Sequence, residues 1–318
     1  VKIIQVDFTR KIFDLESHFR AYRKLVKILE KNQYDFLHCH TPIASAITRL
    51  AAKKQNVKVI YTAHGFHFYK GSPLINWVLF YQIERYLSKC TDVIITINNE
   101  DYRRAKSNFF SKKVVKIPGV GIDCAAIRKC IVNKGELRKK LNIPQNSFVL
   151  LSVGELSKRK NHEVILSALR QLKNRKIYYL IVGKGKLKEK YTKLIKNYKL
   201  EENVKLLGYR DDVYKLCKES DVFVQPSKRE GLGIAALEGM AIGLPLISSN
   251  ASGIKDYSEN GKTGFCCNNA KEYAKAIDNL YNNKDLRKKM SKYNLKKVEE
   301  YDISKTREIM KSVYSIFN

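Results

Sequence analysis

Apolar runs of strand length alternate with amphipathic segments of helix length along almost the whole chain, and that alternation limits the folds open to it. The runs fall at residues 35–38, 57–62, 92–97 and 114–117, and again at 148–153, 177–182, 204–207, 221–225 and 246–249. Helical spacing fills the gaps, as at Phe19, Tyr22, Leu25, Val26 and Leu29. Strands joined through helices lie parallel and are covered on both faces, so they read as nearly unbroken apolar runs. The pattern predicts an α/β protein with doubly wound parallel sheets. It lapses once, over residues 121–146, a mixed segment with a basic helix at 136–141, and then restarts. A chain of 318 residues is long enough for two cores. Residues 1–8 read as a further strand, Thr41 and Pro42 as the cap and first residue of a helix, 74–88 as an amphipathic helix, and the tail from 306 to 317 as helical.

The densest chemistry lies between Gln225 and Pro245. An apolar strand ends, Pro226 and Ser227 turn the chain, and Gly231 and Gly233 lead into an apolar helix that Gly243 and Pro245 stop. Glycines allow backbone N–H groups to approach a ligand, and a helix N-terminus favours negative charge there. Glu230 precedes the turn. Glu238 follows it among Ala235, Ala236, Leu237, Met240 and Ala241. A carboxylate with apolar neighbours needs a partner, and a pair of sugar or ribose hydroxyls suits a group that only accepts hydrogen bonds.

This stretch resembles the donor-site motif of the retaining glycosyltransferases of family 4. The family pattern is Pro-Ser-x-x-Glu-Gly-x-Gly, a run of small residues, then Glu-x-Met-Ala-x-Gly-x-Pro. It stands here as Pro226, Ser227, Glu230, Gly231, Gly233, Glu238, Met240, Ala241, Gly243 and Pro245, with Leu232 between the glycines. The resemblance implies the GT-B architecture, two Rossmann-like domains with a cleft between them. Residues 1–124 would form the acceptor-side domain, 125–300 the nucleotide-sugar-binding domain, and 301–318 a helix returning to the first. Glu230 would contact the donor sugar and Glu238 the ribose. The family commonly opens with an extra strand, a glycine turn and a helix, so the first domain is expected to be incomplete at its N-terminus.

Other segments follow the same pattern. Breaking a nucleotide-sugar bond leaves charge on a diphosphate, which calls for cations and backbone donors. The turn from Gly154 to Asn161 resembles the family's phosphate-binding loop, with Lys160 at its lysine and Glu155 where many members carry arginine. Lys158 or Arg159 would replace that cation. A solvated basic loop is the plainer account. Gly183, Gly185 and Leu187 resemble a turn near the nucleotide, since the third glycine of a dinucleotide fingerprint is missing. His64, at the end of a strand, resembles the family histidine that approaches the donor sugar, and His67 with Phe68 would shape the acceptor side. His38 and His40 share a strand face around Cys39, yet the sequence offers no evident third ligand. No metal and no cofactor is expected beyond the nucleotide-sugar co-substrate.

The net charge of +30 points to anionic partners or to a compositional bias toward lysine, and alone selects no function. A nucleic-acid partner is not expected, because the aromatics show no interleaved basic stripe. Seven cysteines without a C-x-x-C pair give neither a zinc spacing nor a disulfide framework, and suit a reducing cytosol. Trp77, Phe80, Tyr81 and Tyr86 share a helix. Core packing explains them, and the alternative is a peripheral contact with the inner membrane face. The expected activity is transfer of a hexose or N-acetylhexosamine, with retention, from a UDP-linked donor to a glycan or lipid-linked saccharide. Catalysis would fall to His64, Lys160 and Glu230. The donor would be held by Gly154, Arg159, Lys160, Gly183, Gly185, Glu230, Gly231, Leu232, Gly233 and Glu238. The competing reading is a truncated, non-catalytic nucleotide-sugar binder, or a subunit that needs a partner.

Overall fold

A computed structural model describes residues 2–9, 11–172 and 176–317. The chain divides into two compact units, residues 1–120 with 304–318, and residues 121–303.

In the first unit α1 (Leu15–Lys31) begins where the Asp14 side chain accepts from the Ser17 N–H at 3.2 Å. There follow β1 (Phe36–His40), α2 (Pro42–Lys54), β2 (Lys58–Ala63), a helical stretch containing α3 (Gln82–Leu87), β3 (Val93–Thr96), α4 (Asn99–Asn108) and β4 (Lys113–Lys116). The sheet order is β1-β2-β3-β4, all parallel, with His38 opposite Ile60 and Ile60 opposite Val93. The central strands β2 and β3 are buried almost throughout, as parallel strands covered on both faces should be.

The second unit carries α5 (Cys124–Lys129), α6 (Glu136–Lys140), β5 (Phe148–Val153), α7 (Glu163–Gln171), β6 (Ile177–Val182), α8 (Lys188–Asn197), β7 (Val204–Gly208), α9 (Val213–Lys218), β8 (Val222–Gln225), α10 (Ile234–Ala241), β9 (Leu246–Ser248), β10 (Gly264–Cys266), α11 (Ala270–Asn282) and α12 (Lys284–Lys297). Its parallel sheet has the order β10-β9-β8-β5-β6-β7. The winding reverses between β5 and β8, and ligands of such sheets bind beyond the carboxyl ends of the strands at that reversal. The last helix, α13 (Ile303–Tyr314), belongs to the first unit from Ser304 onward. Thr306 donates to the Gly119 carbonyl at 3.1 Å, and Tyr314 stacks on Phe36.

The two parallel-sheet units bear out the expected fold class, and three local expectations need correction. Residues 2–9 form neither helix nor strand, and Ile3 is 90% exposed. Val1 lies outside the described residues. A short apolar run becomes a strand only by pairing, and among the described residues no ladder runs along this one. Thr41 occupies the cap position of α2 but makes no side-chain cap, since its φ of 66° lies in the left-handed region; Pro42 is the first helical residue as expected. The segment expected as one helix over 74–88 runs as a π-helix over Asn76–Tyr81 before α3 and a 3₁₀ turn. β10 was not foreseen: three residues after a turn carry too little pattern to announce a strand that pairing with β9 creates.

The aromatics of that helical stretch divide by face. Trp77, Phe80 and Tyr81 pack on the first unit's core with Phe66, Phe68 and Ile94, while Tyr86 is exposed. Beneath them lies a buried ion pair. Arg49, fully buried, donates to Glu84 at 2.8 Å and lies over the Tyr61 ring at 4.3 Å; the Tyr61 hydroxyl donates to the same carboxylate at 3.2 Å. Breaking such a pair strands a charge away from water. Glu84→Gln is therefore expected to cost the first unit about 3–5 kcal/mol, read as a lower urea midpoint. A loss under about 1 kcal/mol, the scale of an exposed pair, would show that water reaches Arg49.

Candidate functional site

Two loops meet where the winding of the second sheet reverses. The loop after β5 runs from Gly154 to His162, and the loop after β8 from Pro226 to Gly233. Two hydrogen bonds join them: the Lys228 N–H donates to the Arg159 carbonyl at 2.8 Å, and the Asn161 side chain donates to the Pro226 carbonyl at 3.2 Å. The side chains then converge on Glu230. Lys160 Nζ donates to Glu230 Oε1 at 2.6 Å, Arg159 Nη1 to Oε2 at 3.2 Å, and Gln225 Nε2 to Oε1 at 3.0 Å. Glu230 is 9% exposed, so its charge is held by these donors rather than by bulk water. The Lys160 arm lies directly over Gly154, where an added Cβ would come within 3.0 Å of its carbons.

Thus Gly154, Arg159, Lys160 and Glu230 come together in space. Glu238 lies within α10, where its Oε1 accepts from the Tyr214 hydroxyl of α9 at 3.1 Å. Burial raises the Glu238 pKa, and the Tyr214 bond partly opposes that. Gly231 and Gly233 flank Leu232, which is buried, so that residue can offer a ligand only its backbone. Gly183 and Gly185 serve a close approach. A Cβ at Gly183 would sit 2.0 Å from the Gly154 carbonyl oxygen, and one at Gly185 2.5 Å from that of Leu156. The Leu156 N–H donates to the Lys184 carbonyl in the same contact. These glycines let the β6 turn support the β5 turn.

In the first unit His64 follows β2, and its Nε2 shares a hydrogen bond with His40 Nδ1 at 3.0 Å. The His38 and His40 rings lie 4.3 Å apart, and His38 bonds the Thr62 and Tyr314 hydroxyls, each at 2.8 Å. The third histidine beside the pair, hidden in the sequence by a separation of 24 residues, is His64. Burial lowers all three pKa values, that of His38 to about 4, with the neighbouring imidazoles adding to the effect at His38 and His64. Burial thus biases all three toward the neutral imidazole. Among the described residues, one group brings three potential metal ligands within reach of each other: Cys124, Glu299 and Asp302. All three are already engaged: Asp302 accepts from the Cys124 N–H, Glu299 pairs with Arg128, and the Cys124 thiol donates to the Val298 carbonyl. His67 lines two mainly apolar pockets of the first unit, each shared with Ile12, Pro42, Ile43 and Phe80. Among the described residues no helix is long and apolar enough to cross a membrane.

Sequence reasoning missed Gln225, Tyr214 and His162 as parts of this site, because no motif spacing marks them. His162 is 1% exposed and shares a hydrogen bond with the Tyr179 hydroxyl at 3.2 Å. Burial first, and then the Lys160 charge, push its pKa down to about 4. An unfolded histidine titrates near 6.5, so the unfolded chain binds the extra proton between these values. Stability is lost as pH falls from about 6.5 to about 4. The urea midpoint of the second unit is expected to drop over that range, and His162→Gln to shrink the drop. A drop of the same size in the variant would assign it to other groups.

A sequence profile for the family described as "Glycosyl transferases group 1" matches residues 133–297, and one described as "Glycosyl transferase 4-like" matches residues 1–98. The chain is 33% identical over 321 residues to the putative glycosyltransferase EpsD of Bacillus subtilis, covering 98% of this chain and 84% of that one. It is 33% identical over 263 residues to the UDP-Gal:alpha-D-GlcNAc-diphosphoundecaprenol alpha-1,3-galactosyltransferase of Escherichia coli, covering 79% and 67%. In fold it is similar to HepE of Anabaena in complex with UDP, with a TM-score of 0.82 at 19% identity over 93% of this chain and 82% of that one. The sucrose-phosphate synthase of Thermosynechococcus elongatus gives a TM-score of 0.83 at 18% identity over 97% and 80%.

Proposed function

This chain belongs to the group 1, family 4-like glycosyltransferases, and we propose that it moves a hexose or N-acetylhexosamine from a UDP-linked donor, with retention, to a glycan or lipid-linked saccharide. The observation that carries the reading is the Lys160–Arg159–Glu230 cluster at the winding reversal of the second sheet. The donor's diphosphate takes the two cations, which neutralise the charge that grows as the sugar leaves. Glu230 then accepts from sugar hydroxyls and Glu238 from the ribose. The departing phosphate oxygen takes the acceptor's proton on the face it leaves. His64 keeps the catalytic role that its motif position implies.

UDP as the nucleotide is supported by the relative named for UDP-Gal and by the neighbour bound to UDP. A lipid-linked acceptor is supported by the same relative's name. Exposed Leu74, Ile75 and Val78 on the helical stretch before β3 suit a peripheral membrane contact.

The test is transfer or donor hydrolysis by the purified chain with a panel of UDP-sugars. Lys160→Ala and Glu230→Ala are each expected to lower the rate roughly a hundredfold or more, the scale of removing one charge-stabilising group. Unchanged rates in both variants would refute the site. UDP binding without turnover of any donor would favour a non-catalytic binder.

A further inference from the structure

Behind the Glu230 loop stands a tyrosine that no motif marks. Tyr257 is fully buried, and its hydroxyl has no hydrogen-bond partner among the described residues. A buried hydroxyl without a partner is costly, and native structures keep few of them. The ring lies edge-on to Tyr301 at 6.0 Å and follows the short turn Ile254–Asp256.

The surrounding backbone is shaped to admit this side chain. Gly233 has a φ of +97°, and a Cβ added there would lie 2.6 Å from the Tyr257 hydroxyl oxygen and 3.6 Å from Gln225 Nε2. Gly253, with a φ of +80°, makes the matching approach, where a Cβ would come within 2.4 Å of the Gly231 carbonyl oxygen. The segment from Gly253 to Tyr257 therefore presses on the loop from Glu230 to Gly233 at two points, both open because a side chain is missing. The hydroxyl is delivered to the Gly233 end of that loop, beside the amide that already serves Glu230. Burial raises the Tyr257 pKa well above the usual phenol value, and the Glu230 charge adds to it, so the group stays a donor.

We propose that Tyr257 is a positioning residue for Glu230, its hydroxyl donating to that carboxylate when a sugar nucleotide's diphosphate draws Lys160 and Arg159 away. In the structure both cations are spent on Glu230. A diphosphate is the stronger partner for them, and a buried carboxylate that loses two cationic donors must gain others or lose its charge. Gln225 supplies one hydrogen bond already. Tyr257 is the buried donor beside it with none to give up. Its bond keeps Glu230 aimed at the sugar hydroxyls after the cations turn to the phosphates. This rests on the donor-site reading proposed above.

Tyr257→Phe tests it, because the substitution removes only the oxygen. A hydroxyl serving the fold alone and lacking a partner costs nothing to delete, so the thermal midpoint should hold or rise. UDP affinity by calorimetry should stay within about twofold of wild type, since the diphosphate is held by Lys160 and Arg159. Turnover of UDP-glucose, UDP-galactose or UDP-N-acetylglucosamine, whichever the wild-type chain uses, should fall roughly tenfold to a hundredfold, mainly in kcat, the scale of a lost hydrogen bond to a charged group. Turnover within about twofold of wild type overturns the proposal, and so does a loss of UDP affinity as large as the loss of turnover. Failure of the wild-type chain to bind UDP or use any of these donors sinks the donor-site reading itself, and this inference with it.

Discussion

The ion cluster of Glu230 with Lys160 and Arg159 is the interaction that ties together the two candidate-site loops of the second unit. It links two loops whose strands, β5 and β8, are neighbours only because the sheet reverses its winding between them. Charge-assisted hydrogen bonds in a water-poor site are short and directional. They hold the loops in register while leaving donors that an anionic ligand can compete for. The same contacts thus serve the resting structure and, in the proposed reaction, are exchanged on binding.

Around that cluster the chain uses close backbone approach. The β6 turn supports the β5 turn through Gly183 and Gly185, and the segment from Gly253 to Tyr257 supports the β8 loop. Each support brings chain to within a distance that excludes a side chain. The loops are therefore placed by the strands and turns beside them, which is how a rigid sheet can carry residues whose positions have to be accurate. In the first unit burial lowers the pKa values of His38, His40 and His64, with neighbouring imidazoles adding to the effect at His38 and His64, and the rings offer hydrogen bonds to each other and to the Thr62 and Tyr314 hydroxyls.

Legibility in the sequence follows the range of the physical cause. Pro226, the glycine turn and α10 were readable because they obey local rules of turn geometry and helix termination. The parallel sheets were readable because burial on both faces leaves unbroken apolar runs. By contrast, residues 2–9 have the composition of a strand without pairing as one, and β10 exists through its ladder to β9 despite its brevity. Glu230 and Lys160 were separately recognisable from their motifs, but their contact spans 70 residues. Tyr257 gave no signal at all, since nothing in its neighbourhood along the chain distinguishes a buried ring with a satisfied hydroxyl from one without.

The sequence by itself determined the class of fold, and the motif around the glycine turn identified the glycosyltransferase family. The first arises from backbone preferences and apolar spacing within a few residues, the second from a resemblance carried by the motif's fixed positions. Tertiary structure alone decided which donors Glu230 accepts from, that His64 leans on His40, and that the Tyr257 hydroxyl has no partner among the described residues beside Gly233. Those facts depend on the order of strands across a sheet and on which loop ends it sets side by side, and that order is settled by packing the whole unit.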